Sequence, residues 1–334
     1  MQVRVSYGKS GITVHQKDGT TVALDPSRPN GCDYAFVSHA HLDHLHRKGN
    51  STSKLIASKE TSMIASARGY EMQGNEYDGF ELVDTGHILG SRGLLTGEDV
   101  YYTGDLSTRE RAFLKPARMP KAKTLIIEST FGKAGYSFPA TDEITHNVNR
   151  IISDMYDMGI PVVLMGYALG KAQLLTKMFG HWDPVFVHDS VAKMNNVYSD
   201  LGVDLKDAVT YTEAEQKGLL SKRRPWIMIA PLMSGRSSFV QDMKVKYGAI
   251  TIGFSGWAVD SQYPYRMGLD YAFPMSDHCD YSELVEAVRR CAPDKVYTFH
   301  GFAGEFAGSL KKMGFDAEPI EKRNGRAMSL DSFS

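Results

Sequence analysis

Ser38-His39-Ala40-His41-Leu42-Asp43-His44 follows directly on the apolar run Tyr34-Ala35-Phe36-Val37, and it decides what the rest of the chain has to supply. The apolar run reads as a strand. At strand spacing His39 and His41 point to one side, with Asp43 and His44 following where the chain is expected to turn into a helix. Four imidazole and carboxylate groups within six positions suit Zn²⁺, Mn²⁺ or Fe, and two ions can share such a cluster if further ligands arrive from elsewhere. Two candidates are in view: His87 in Thr85-Gly86-His87-Ile88-Leu89-Gly90-Ser91, and Asp105 in Tyr101-Tyr102-Thr103-Gly104-Asp105. Each follows an apolar strand and stands beside a glycine, as a ligand at a tight strand-end turn does. A solvated histidine-rich loop that also counts His46 leaves those partners unexplained.

Outward from this stretch, the chain up to about Glu128 reads as short strands: Val3 to Tyr7, Gly11 to Val14, Thr21 to Asp25, Val100 to Tyr102 and Leu125 to Ile127, with one helix from Glu60 to Ala67. After about residue 135 the period changes. Ile144, Val148, Ile151, Ile152 and Met155 share one helical face, with Asp142 and Glu143 in the first turn and Gly159 as the stop. Apolar runs at Ile160 to Met165, Val185 to Val187, Trp226 to Ala230 and Ala249 to Phe254 are spaced for crossover helices, so a parallel βα layer of its own is expected. The closing stretch offers helices at Tyr281 to Arg290 and Phe306 to Met313 around a strand at Lys295 to Phe299.

The 334 residues (37.1 kDa) are 42% hydrophobic and 23% charged, the composition of a folded globular chain of one large domain or two ordinary ones. Thirty-eight basic against thirty-nine acidic side chains give a formal charge of -1, so any polyanion has to be held locally. Cys32, Cys279 and Cys291 match no zinc ribbon and no redox pair, and read as free thiols in a reducing cytoplasm. The amino-terminal residues carry no apolar core behind a basic end, and no apolar run reaches the roughly 18 residues of a membrane span. A cytoplasmic protein is expected.

The ordered set His39, His41, Asp43, His44, His87 and Asp105 resembles the metallo-β-lactamase superfamily. The resemblance implies an α/β fold, an αββα sandwich, with one ion held by His39, His41 and His87, a second by Asp43 and His44, and Asp105 between them. Asp25, which ends an apolar strand, matches the superfamily's first acid and is expected to support the ligand loop. Ile126-Ile127-Glu128-Ser129-Thr130-Phe131-Gly132, Phe273-Pro274-Met275-Ser276-Asp277-His278 and Thr298-Phe299-His300-Gly301 resemble the motifs of the β-CASP nucleases. The resemblance spans nearly the whole chain and implies residues 1–135 and 266–334 as a lactamase-type domain and 136–265 as an inserted parallel βα (β-CASP) domain, with the active site in the cleft between them. Gly166-Tyr167-Ala168-Leu169-Gly170-Lys171-Ala172-Gln173, Phe254-Ser255-Gly256-Trp257 and Ser276-Asp277-His278 narrow the resemblance to small ligase-associated exonucleases and archaeal mRNA 3′-end processing factors.

What this implies is a metal-dependent nuclease, an exonuclease in nucleic-acid processing or repair, with two divalent ions (Zn²⁺, or Mn²⁺), a single-stranded DNA or RNA substrate, and association with a ligase, a helicase or an RNA-processing system. His300 completes the second metal site, His278 protonates the leaving oxygen, Glu128 orients His278, and Asp43 serves both metal and reaction. His300 points to RNA and the Ser276-Asp277-His278 box to DNA, which leaves the substrate open. Gly166 to Lys171 falls one residue short of a phosphate loop, with Ala172 at the hydroxyl position, which excludes a nucleoside triphosphatase. Gly170, Lys171 and Ser276 are instead expected to meet a substrate phosphate. The run Ser221-Lys222-Arg223-Arg224 reads as a solvated loop. Two rivals are a small-molecule hydrolase of thiolesterase or lactonase type, which needs neither insertion nor His278, and a non-catalytic subunit, which would lack ligands.

Overall fold

The computed structural model describes residues 3–29, 31–46, 52–97, 99–221 and 224–320. Lys222 and Arg223 of the basic run lie outside the described residues. The chain divides into two compact units, the first from Met1–Glu110, Leu114–Tyr136 and His278–Ser334, the second from Arg111–Phe113 and Ser137–Asp277. Residues 266–277 were expected in the closing segment of the first unit. They belong to the second, because Tyr271–Phe273 pairs in parallel with Ile250–Phe254 as the edge of that unit's sheet.

In the first unit Arg4–Gly8, Gly11–His15, Thr21–Leu24, Tyr34–Phe36 and Lys54–Ile56 form one sheet in that order. A second sheet runs Ala317–Pro319, Lys295–Phe299, Thr124–Glu128, Val100–Tyr102, Arg92–Thr96 and Phe80–Asp84. The two-residue period of its strands covers both of its faces. Leu94, Val100, Tyr102, Ile126 and Phe299 meet Val14, Val22, Leu24, Phe36 and Ile56 of the first sheet. The alternate positions Leu95, Tyr101, Leu125, Ile127 and Val296 pack on Leu284, Val288, Phe306 and Leu310. Those four sit on helices Tyr281–Cys291 and Ala303–Lys312, where apolar residues at three- and four-residue steps make one covering face. The first of these helices starts where it does because Asp280 accepts the Glu283 N–H (3.0 Å) and Glu283 accepts the Asp280 N–H (2.8 Å), a reciprocal cap. Truncating the fully buried Phe306 to alanine should cost about 3–5 kcal/mol.

The second unit holds one six-stranded parallel sheet, ordered Val209–Thr210, Val185–Val187, Ile227–Pro231, Val162–Gly166, Ile250–Phe254 and Tyr271–Phe273. Its central strands are apolar at every position because both faces are covered. Val162 and Leu164 pack with Ile144, Val148, Ile152 and Leu175, whereas Val163 and Met165 pack with Val240, Met243 and Tyr247. Among the described residues no helix is long and apolar enough to cross a membrane.

Candidate metal centre

In the first unit five strands end at the same place. Tyr34–Phe36 leads into Ser38 to His44, Phe80–Asp84 into His87, Val100–Tyr102 into Asp105, Thr124–Glu128 ends on Glu128, and Lys295–Phe299 leads into His300. Close turns make this convergence possible. Gly86 sits at φ +68° against the Ser107 and Lys115 carbonyls, and Gly104 at φ +55° against Ser38, where a Cβ would collide in both cases. His300 itself adopts φ +61°, and the Ser129 hydroxyl is 2.7 Å from its carbonyl oxygen. Residues 42–44 form a turn rather than the expected helix start: the His44 N–H donates to the His41 carbonyl at 3.2 Å, and the next helix is Lys59–Ala67. In this turn Asp43 and His44 face the same centre as Asp105.

His39 Nε2 lies 3.1 Å from His41 Nδ1, which lies 3.1 Å from His87 Nε2. His39 Nε2 and His87 Nε2 each stand 3.5 Å from Asp105 Oδ2. Ligand bonds of 2.0–2.1 Å in a tetrahedron put neighbouring donors roughly 3.3 Å apart, so these four atoms are spaced as the shell of one small cation. The other carboxylate oxygen faces a second set, with His44 Nε2 at 3.6 Å from Asp105 Oδ1 and 3.5 Å from Asp43 Oδ2. His300 joins His44 and Asp105 in that set. His44 Nε2 and Asp105 Oδ1 are buried and lack a hydrogen-bond partner among the described residues. Such orphaned polar atoms are costly unless something binds them, and nitrogen with carboxylate oxygen is the donor chemistry of a divalent transition metal. The residues therefore fit a metal ion.

One carboxylate sets the direction of two of these rings. Asp25, at φ +41°, accepts the His44 Nδ1–H (2.7 Å), the Ser38 hydroxyl (2.6 Å) and the Tyr102 hydroxyl (2.8 Å) on Oδ2, and the Ser38 N–H (2.7 Å) on Oδ1. Since a carboxylate only accepts, His44 carries its proton on Nδ1 and keeps the Nε2 lone pair for the centre. The Ser38 proton is spent on Asp25, so the Ser38 oxygen 2.9 Å from His39 Nδ1 accepts from that ring and frees its Nε2 likewise. Sequence reasoning assigned no role to Ser38 or Tyr102; Ser38 stands beside His39, and nothing in the sequence sets Tyr102 apart from other core tyrosines.

Burial and the nearby His44 and His87 rings hold His39 well below the ordinary histidine range. Burial also opposes charge on His44, but the carboxylates of Asp105, Asp25 and Asp43 outweigh it and push that ring up to about 10, which places on Nε2 a proton that a bound cation would displace. Burial raises Asp105 against the pull of His44 and His278. Beside the same Asp105 oxygen that faces His39 and His87, His278 Nε2 lies 4.0 Å from Oδ2, and His278 Nδ1 lies 2.9 Å from Glu128 Oε1. Glu128 is fully buried and accepts the Leu106 N–H (2.8 Å) and the Thr130 N–H (3.0 Å). Burial works against its ionisation, but the His278 charge and these hydrogen bonds hold it below the usual carboxylate range.

The three residues expected at a substrate phosphate sit in the second unit. Lys171 is only 1% exposed and its Nζ lies 2.8 Å from Asp277 Oδ1, so its ammonium is committed inside the protein rather than offered to a ligand. Ser276 is buried too, with its carbonyl facing Arg111. Gly170, at φ +88°, starts helix Lys171–Phe179, and its N–H is taken by the Gln173 side chain at 2.8 Å.

No family model matches the chain. A probable DNA ligase from Opitutus terrae is 34% identical over 316 residues, which cover 89% of the chain and 30% of that relative. Transcription termination factor FttA from Methanocaldococcus jannaschii is 37% identical over 101 residues (28% of the chain, 16% of the relative). An RNase J-like protein of the same organism is 32% identical over 108 residues (31% of the chain, 26% of the relative). Two of the three names come from RNA metabolism. The chain spans under a third of the length of each of these relatives. Among solved structures, a protein of unknown function from Enterococcus faecalis V583 has the same fold, with a TM-score of 0.62 at 14% identity and 96% of each chain covered.

Proposed function

We propose that the chain is a metal-dependent nuclease of the β-CASP kind that hydrolyses phosphodiester bonds in single-stranded RNA. Its first unit is read as a metallo-β-lactamase αββα domain and its second as the β-CASP insertion. The observation that carries this is Asp105, whose two oxygens face two separate donor sets while the Glu128–His278 pair stands against the same carboxylate. One ion would be held by His39, His41, His87 and Asp105, the other by Asp43, His44, His300 and Asp105; such nitrogen-rich sets suit Zn²⁺, with Mn²⁺ second. Bound divalent ions lower the pKa of water to about 7 and neutralise phosphate charge.

The remaining work falls to side chains of this protein. An alkoxide leaving from phosphorus needs a proton, and His278 is 21% exposed with Nε2 directed to the Asp105 side of the centre. With Nδ1–H donated to Glu128, a protonated His278 gives its Nε2 proton to the leaving oxygen as a water oxygen bonds to phosphorus, loses a proton to solvent, and the old P–O bond breaks, yielding a phosphate monoester and a free hydroxyl. Glu128 accepts only, so it fixes the ring and favours its charged form. A thiolesterase gains little from this pair, because a thiolate leaves without a proton. The names of the FttA and RNase J-like relatives support RNA; the DNA ligase name of the Opitutus relative supports a second reading, an exonuclease on DNA. Matched end-labelled RNA and DNA strands incubated with the purified protein and Zn²⁺, Mn²⁺ or Mg²⁺ test this. We expect chelator-sensitive release of short products from RNA. Cleavage of DNA alone transfers the reading to DNA, and hydrolysis of a thioester with neither strand cut overturns it.

A further inference from the structure

The motif Gly166-Tyr167-Ala168-Leu169-Gly170-Lys171 takes no part in the metal centre, yet its geometry is elaborate. Gly166 ends strand Val162–Gly166, and a Cβ there would run into the Lys171 stem. Gly170 turns the chain at φ +88° so that helix Lys171–Phe179 starts with Lys171 folded back over the strand end. The effect is to bury an ammonium against Asp277 Oδ1 at 2.8 Å, while Arg111 Nη1 reaches the same oxygen at 2.6 Å. Side chains of all three are at most 4% exposed. Two cations on one buried carboxylate oxygen are a poor way to gain stability, since apolar residues of similar volume are often as good or better. The arrangement asks for another reason.

Asp277 is the residue before His278. The residue after it, Cys279, donates its N–H to the Leu106 carbonyl at 2.8 Å, and the Leu106 N–H in turn holds Glu128, which holds the His278 ring. The backbone is thus tied down on both sides of His278, on one side by a main-chain hydrogen bond and on the other by two buried cations. Resting on the nuclease reading above, we propose that Lys171 and Arg111 are positioning residues for the general acid: by gripping Asp277 they fix the peptide that carries His278 and keep its Nε2 where a leaving oxygen needs it. Misplacement of a reacting group by about 1 Å can cost roughly 10²-fold in rate.

Lys171→Met removes one cation and leaves Asp277 paired with Arg111; Arg111→Lys keeps charge but removes the guanidinium fork, and either variant carries the test. Each is assayed on an RNA oligonucleotide, whose alkoxide leaving group requires protonation, and on bis(p-nitrophenyl) phosphate, whose phenolate leaves as a stable anion. We expect kcat on RNA to fall about 10- to 100-fold with KM within twofold, the activated diester to be cleaved within twofold of wild type, and metal content to stay the same. In a His278→Ala background Lys171→Met should cause no further loss on RNA, because its effect runs through that ring. Equal losses on both substrates, or a further loss in the His278→Ala background, would overturn the positioning role. A wild-type protein that cleaves neither diester with any metal would instead defeat the nuclease reading itself.

Discussion

On the two-ion reading proposed above, Asp25→Asn changes one atom and should divide the two ions. The side chain keeps its shape and its Oδ1 can still accept the Ser38 N–H, but an amide nitrogen replaces the oxygen that accepts from His44, Ser38 and Tyr102. The Ser38 and Tyr102 hydroxyls can turn and accept instead, and the Ser38 oxygen keeps a second lone pair with which to accept from His39 Nδ1. His44 cannot do so without moving its proton to Nε2, the atom that faces Asp105 and Asp43, and an Nε2–H is no ligand. Loss of such a supporting contact typically weakens metal binding 10- to 100-fold, or about 1.4–2.8 kcal/mol, and with 7% of the Asp25 side chain exposed little of that is screened. Competition against a graded chelator, read by elemental analysis, should show the first equivalent within a few-fold of wild type and the second weakened by the full factor. A thermal melt of the metal-free variant serves as control for general damage. Equal weakening of both equivalents, or none, would refute the argument that Asp25 acts by fixing the His44 tautomer.

On the proposed nuclease reading, His278→Ala should lower turnover on RNA by about 10² to 10⁴-fold with both ions retained, whereas His300→Ala should lose one equivalent along with activity, which elemental analysis separates. Gly86→Ala puts a Cβ against two carbonyls at φ +68°, and a cost of at least about 1–2 kcal/mol should appear in denaturant titration together with weaker metal retention at His87. Burial lowers Lys171 from 10.5 to about 8, so between those values the unfolded chain binds a proton that the folded chain does not. Stability should therefore rise across that window by up to about 3 kcal/mol, and urea titrations of Lys171→Met against wild type from pH 7.5 to 10.5 should show that slope removed.

The donor-bearing positions were legible because each follows an apolar strand and several stand beside a glycine whose turn needs positive φ, as at Gly86 and Gly104. The parallel layer was legible because runs such as Val162 to Met165 are apolar at every position, a pattern that only a sheet covered on both faces produces. Arg92–Thr96 escaped the sequence reading; charged Arg92 and the loop-like Gly93 interrupt its apolar pattern, and its pairing to Phe80–Asp84 is set by the tertiary fold. Lys171 misled for a different reason. A glycine-flanked lysine at a helix start looks like an anion site, and only the fold reveals that an aspartate 106 positions away has taken the charge. Ser38 and Tyr102 were silent because hydrogen bonding to a common carboxylate leaves no spacing in the sequence.

Strand Lys295–Phe299 lies inside the second sheet, between Ala317–Pro319 and Thr124–Glu128, and its end delivers His300. A ribosome makes His39 well before this strand. Until it docks, Thr124–Glu128 has an open edge and the donor set around Asp105 lacks His300. Donors this far apart in the sequence leave the centre incomplete until residues 295–300 have been made and have docked.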